Sequence, residues 1–324
     1  MKNLSTFLFL LFYASFIFSF SAKEKVFPEL PFYFSNAERI NEFTTRIPFQ
    51  LVDRLIIIEG EINNKKGNFI IDTGSEALIL NKKYFDIYQF NYSKKGETSG
   101  VLSSIENPLE KTIKNLSFNN LELKNRNSDV IDLSHIEESK KMKLLGIIGY
   151  SILKDYEIFI DMYLNQITLT KIDNKGDKIG QKPYLEEIID TINFSLKKHV
   201  IVLEAFINKE KLIFGLDTGA EFNQINARIH KKALENFYPK KRVQLTGASS
   251  KKIEVLYGIL HRVKLNDQNY FGPMKTIVTN LSNMNKAFGT KLDGILGYDF
   301  FAQKRVIINY KKEKLYFIKY PILR

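Results

Sequence analysis

Two short runs of like residues recur in this chain: Ile71-Asp72-Thr73-Gly74-Ser75 and Leu216-Asp217-Thr218-Gly219-Ala220. Each places one carboxylate at the end of an apolar stretch. Two such carboxylates brought within a few ångströms cannot both ionise easily, so they share one proton. The ionised member takes a proton from a bound water, and the protonated member donates to the carbonyl oxygen under attack. Together they add water to an amide without a metal ion or a covalent intermediate. Thr73 and Thr218 have hydroxyls suited to bonding across the two loops and holding the carboxylates at a fixed spacing. Gly74 and Gly219 let backbone N–H groups come close where a side chain would obstruct them. Ser75 offers Asp72 a further hydroxyl, which Ala220 cannot offer Asp217, so the two sides are expected to be electrostatically unequal.

The surroundings of these runs repeat with them. Without a gap, residues 47–72 lie on residues 192–217, with Leu55-Ile56-Ile57-Ile58-Glu59 over Val200-Ile201-Val202-Leu203-Glu204. Further on, Gly146-Ile147-Ile148-Gly149-Tyr150 meets Gly294-Ile295-Leu296-Gly297-Tyr298. Strand signals dominate both copies. Residues 55–62 are β-branched and apolar, as a strand buried on both faces would be. A turn at residues 63–67 returns the chain towards Asp72, and the second copy does the same through residues 208–211. A strand and a short helix are expected after each Asp-Thr-Gly, then a Gly-containing hairpin tip, then a final hairpin closing the copy. Gly149 and Gly297 read as places of close backbone approach.

On these residues the chain resembles the aspartic peptidases, most closely the retropepsin-like group, duplicated in one polypeptide as in pepsin. The matching elements are the two Asp-Thr-Gly-Ser/Ala loops and the later Ile147-Ile148-Gly149 and Ile295-Leu296-Gly297. The likeness covers residues 47–172 and 192–319. It implies an all-β fold of two homologous β-barrel lobes, with the active-site cleft between them and one catalytic Asp from each. It also implies hairpin flaps closing over an extended protein or peptide substrate, with Gly100 and Gly247 as flap-tip candidates. No Tyr lies within residues 96–104, where pepsin-like flaps carry one, which favours the retropepsin comparison. Because one chain holds both copies, a monomer is expected to suffice for the dyad.

The expected organisation is a signal peptide over residues 1–22, an N-terminal extension over 23–46 and a first lobe over 47–172. A linker over 173–191 and a second lobe over 192–324 follow. Lys2 precedes an apolar run at residues 7–20, and small residues follow at 19–22, which reads as an export signal. A periplasmic or secreted protein is expected, with no stable membrane insertion once the signal is cleaved. The extension reads equally as a pro-segment or an added strand. The 324 residues contain no Cys, so the fold must be held by packing.

The net charge of +12 comes from scattered Lys pairs beside turns and forms no Arg-rich helix or aromatic-basic stripe, so no nucleic-acid partner is expected. The four His show no metal-ligand spacing and read as surface or partly satisfied residues. No metal site and no cofactor are expected. The favoured function is an exported aspartic endopeptidase with Asp72 and Asp217 as its dyad. The competing reading is a catalytically silent, peptide-binding envelope protein of the same fold.

Overall fold

A computed structural model of the chain describes residues 33–85, 109–118, 121–180, 186–246 and 252–321, with the backbone of residues 13–14, 98–99 and 104–105. The fold is built mainly of β-strands. Its helices are few and short, and the longest described ones, Ser134–Lys140 and Ser282–Phe288, have seven residues each. Among the described residues no helix is long and apolar enough to cross a membrane.

The strand Leu55–Ile62 turns directly into Lys65–Ile71 through Asn63 and Asn64, both in the left-handed region at φ 49° and 64°. Two central residues with positive φ match the right-handed twist of the flanking strands, and Asn tolerates that conformation. The turn is therefore tighter than the five-residue one expected. Val200–Ile207 and Glu210–Leu216 repeat it through Asn208 and Lys209 at φ 50° and 68°.

Each hairpin is the heart of a sheet. In the first, the order runs Leu109–Phe118, Leu121–Ile131, Leu78–Asn81, Leu144–Ile148, Lys65–Ile71, Leu55–Ile62 and Gln50–Val52. Leu109–Phe118 also pairs with Leu55–Ile62 at Leu116↔Ile62 and Ser117↔Glu61, which closes six of these strands into a barrel. In the second sheet, Met274–Thr279, Asn223–Asn226, Gly294–Leu296, Glu210–Leu216 and Val200–Ile207 repeat the order of the inner strands. In both, the strand ending at the Asp-Thr-Gly run pairs in parallel with the strand that precedes Gly149 or Gly297.

A third sheet is composed of strands from both copies. Its order is Ile188–Asn193, Lys314–Ile318, Arg305–Asn309, Tyr156–Asp161, Gln166–Lys171, Thr44–Pro48 and Glu38–Asn41. The final hairpins of the two copies meet in its middle, Ile158 opposite Ile308 and Ile160 opposite Val306. The boundaries expected at residues 47 and 192 fall inside strands of this sheet. Thr44–Pro48 pairs with Gln166–Lys171, so the described end of the extension is an added strand pair. Ile188–Asn193 is an edge strand of this sheet, so the linker expected over residues 173–191 ends inside a strand.

Candidate active site

Parallel pairing fixes where each catalytic-type loop leaves its sheet. The Asp72 amide donates to the Ile148 carbonyl and the Asp217 amide to the Leu296 carbonyl, both at 3.0 Å. The residue after each of these acceptors must then pass under the loop. A Cβ on Gly149 would lie 2.5 Å from the carbonyl oxygens of Ser75 and Ala77, and one on Gly297 would lie 2.3 Å from that of Ala220. No side chain fits such a gap. The Tyr150 and Tyr298 amides then tie down Ser75 and Ala220 at 2.8 and 2.9 Å.

The two loops meet through their threonines. The Thr73 amide donates to Thr218 Oγ1 and the Thr218 amide to Thr73 Oγ1, both at 3.0 Å. Each hydroxyl passes its own proton onward, Thr218 to the Ile71 carbonyl at 2.8 Å and Thr73 to the Leu216 carbonyl at 3.4 Å. All four donors are buried, so the network is closed and fully used.

Asp72 and Asp217 face each other beside this network, 0 % and 2 % exposed. Asp72 Oδ1 accepts the amides of Gly74 at 2.8 Å and Ser75 at 2.9 Å, whereas Asp217 Oδ1 accepts that of Gly219 at 2.8 Å. Burial pushes the Asp72 carboxyl well above the usual range, the charge of Asp217 adds to this, and the two amides oppose it. Burial raises Asp217 too, and a hydrogen bond from Asp72 and nearby amides pull it back. Both carboxyls are therefore raised, and the pair is set to share one proton. A Cβ on Gly219 would lie 2.6 Å from Asp72 Cγ, so that glycine is the floor on which the opposite carboxyl rests.

The expected asymmetry is present, with a different cause. The Ser75 hydroxyl points to the Ala77 carbonyl at 3.4 Å, and it is the Ser75 amide that reaches Asp72. The Ala220 amide reaches only the main-chain oxygen of Asp217, at 3.3 Å. Gly100 and Gly247 lie outside the described residues. The flanking pairs, residues 98–99 with 104–105 and Phe237–Thr246 with Lys252–Leu260, are antiparallel.

Four neighbours escaped the sequence reading. His199, expected near the surface, is 1 % exposed, and its Nε2 lies 3.1 Å from the Gly74 carbonyl. Burial pushes its imidazole down to about 3, so it is neutral. Glu221, next to Ala220, is buried with Lys140 Nζ 2.6 Å away, and Lys140 also reaches Asp53 at 3.1 Å. Burial raises the Glu221 carboxyl to about 8, against the pull of Lys140. Tyr310 is buried with no partner for its hydroxyl among the described residues, and burial and the nearby Tyr150 and two aspartates raise it. The available signal was the repeat itself: His199 stands where the first copy has Arg54, and Lys140 where the second has Phe288. Among the described residues no cluster of His, Asp and Glu could hold a metal ion.

No family model matches the chain, and no curated protein matches it. Among solved structures, the chain is similar to a retropepsin-like aspartic protease from Rickettsia conorii. The two are 21% identical, with a TM-score of 0.30, over 44% of this chain and 97% of that one.

Proposed function

We propose that the chain is an aspartic endopeptidase whose two copies form lobes on either side of a peptide-binding cleft, with Asp72 and Asp217 as its catalytic pair. The observation that carries this reading is the reciprocal Thr73–Thr218 bonding, which holds two buried carboxyls together, both raised above their ordinary range. A structural turn needs neither the second carboxyl nor its burial, and the isolated cost of burying both is large.

In the reaction, the ionised member of the pair takes a proton from a water as its oxygen attacks the scissile carbonyl, and the protonated member gives its proton to the carbonyl oxygen. The tetrahedral gem-diol then collapses. The carboxyl that took the water's proton passes it to the nitrogen, and the other carboxyl takes a proton back from a gem-diol hydroxyl. The C–N bond breaks, and an acid and an amine leave with the pair again sharing one proton. Thr73, Thr218 and Ala220 hold the two loops, and Gly74, Ser75 and Gly219 supply the amides that reach the carboxyls. The substrate is a protein or peptide. Residues 1–22 direct export, and one chain supplies both aspartates.

The test is incubation of purified residues 23–324 with a diverse peptide pool from acid to neutral pH, beside Asp217→Asn. Cleavage by the wild type that the variant loses supports the reading. A folded wild type that binds peptides and returns them intact overturns it in favour of a silent peptide-binding protein.

A further inference from the structure

We infer that His199 is a positioning residue for the dyad: its ring N–H holds the Gly74–Ser75 peptide so that the Ser75 amide points at Asp72, which makes the two aspartates unequal. The inference rests on the peptidase reading for its consequence in catalysis, though the geometry stands apart from it.

A carbonyl oxygen only accepts, so the 3.1 Å contact between His199 Nε2 and the Gly74 oxygen places the proton on Nε2. The amide of the same peptide unit, that of Ser75, donates to Asp72 Oδ1 at 2.9 Å. A donor at one end of a peptide polarises the group and strengthens the donor at the other end. The ring cannot easily turn away. Phe288 meets it edge-on, centroids 5.3 Å apart, and Tyr150 lies at 6.4 Å. The charged and titratable groups around it are Glu76, whose Oε2 is 3.7 Å from Nδ1, the neighbouring Lys198, and Tyr150. Asp72 itself faces Asp217 and, more distantly, Tyr310.

The loop at Asp217 provides the internal control. In the first copy Arg54 occupies the place that His199 has in the second, yet its guanidinium stacks on the Phe222 ring, 4.3 Å from the centroid. No side chain among the described residues donates to the Gly219 carbonyl. There the equivalent amide, that of Ala220, misses the carboxyl and reaches only the main-chain oxygen of Asp217. The Ser75 and Ala220 amides touch the main-chain oxygens of their own aspartates alike, at 3.3 Å. The loop held by an imidazole gives its carboxyl two of its own amides, and the loop without one gives a single amide, with Gly74 acting on Asp217 from across the gap.

The experiment is a carbon-13 carboxyl NMR titration of the mature chain as wild type, His199→Leu and His199→Gln, with pH profiles of peptide cleavage alongside. An amide bond to a carboxylate favours its ionised form, so its loss moves deprotonation to higher pH. The upper titration step of the pair is expected to rise by about one pH unit in His199→Leu and to return in His199→Gln, whose amide keeps a donor. The basic limb of kcat moves with it, a shift that mere loosening of the fold would not produce. Unmoved steps in a folded His199→Leu overturn the inference. Should that variant not fold, nitrogen-15 NMR of the wild-type ring decides. A neutral Nε2–H tautomer persisting down to about pH 4 supports the inference, and an Nδ1–H tautomer or an imidazolium at pH 6 overturns it. A shifted titration in a chain that cleaves nothing supports the role of His199 while the peptidase reading fails.

Discussion

Thr73 and Thr218 each give the main-chain N–H to the other's hydroxyl at 3.0 Å, across the meeting of the two loops. Thr218→Val keeps the shape but leaves the Thr73 amide and the Ile71 carbonyl buried without partners. Each such group costs about 1–3 kcal/mol, so the variant is expected to lose about 2–6 kcal/mol, while Thr218→Ser loses less than about 1.5 kcal/mol. Denaturant midpoints of the two variants check this. Equal midpoints would mean that the network contributes nothing.

If the pair is catalytic as proposed, it sets the direction of the pH profile. Turnover then needs one proton on the pair, so activity rises as the pair loses its first proton and falls as it loses the second. Burial raises both carboxyls, which moves the whole bell above the ordinary carboxylate range. The expected optimum lies at mildly acid to neutral pH, and Asp72→Asn or Asp217→Asn lowers kcat by at least about a thousandfold. A profile of kcat/KM against pH checks it, and an optimum below about pH 4 would contradict it.

Much of this site was legible because it is local. An apolar strand, a turn of Asn residues and the triplet Asp72-Thr73-Gly74 are encoded within a few positions of one another, and their recurrence near residue 217 doubles the signal. The threonine cross-bonds followed from residue type once both loops were placed together. What could not be read was set by distant packing. His199 meets Gly74 because Phe288 and Tyr150 close around it, and nothing near residue 199 reveals those neighbours. The Ser75 hydroxyl turned to Ala77 because the short loop gave the amide, not the side chain, the better line to Asp72. Likewise Thr44–Pro48 is a strand only because Gln166–Lys171 lies beside it.

Gly219 tests how closely the loops must approach. With a Cβ 2.6–2.8 Å from every atom of the Asp72 carboxyl group, Gly219→Ala must drive that group aside. A displacement on the order of 1 Å costs about a hundredfold in rate, so kcat is expected to fall at least that far, with KM less affected. Steady-state kinetics against wild type check the split, and a near-normal kcat would show that the loops yield.

Asp161 and Arg305 hold the two copies together in the shared sheet. Arg305 Nε and Nη2 lie 2.9 and 2.6 Å from Asp161 Oδ2, both side chains are buried, and Asp161 Oδ1 caps the following turn through the amides of Tyr163 and Leu164. Asp161→Ala removes the cap and leaves the buried guanidinium with only the Lys319 carbonyl at 2.6 Å and Glu186 at 3.4 Å, so a loss of about 3 kcal/mol is expected. Asp161→Asn keeps an oxygen for the turn and should lose less. Thermal or denaturant unfolding separates the two, and equal losses would mean that the ion pair alone matters.

Glu221 couples stability to pH in the opposite sense from a surface carboxylate. Its folded value, about 8, lies above the unfolded one, so between them the native chain holds a proton that the unfolded chain has released. Stability from this group is full below the unfolded value and is lost as pH rises through the folded one. Asp72 and Asp217, raised by the same burial, act in the same direction. Glu221→Gln removes one of these proton uptakes while keeping a carbonyl for Lys140 Nζ. The variant is expected to gain on wild type between pH 5 and 8 by a few kcal/mol (about 2–4) and to show a shallower fall of stability with pH. Unfolding midpoints across that range decide. A variant that loses stability equally at both ends would mean that the Lys140–Glu221 contact is a charged pair throughout.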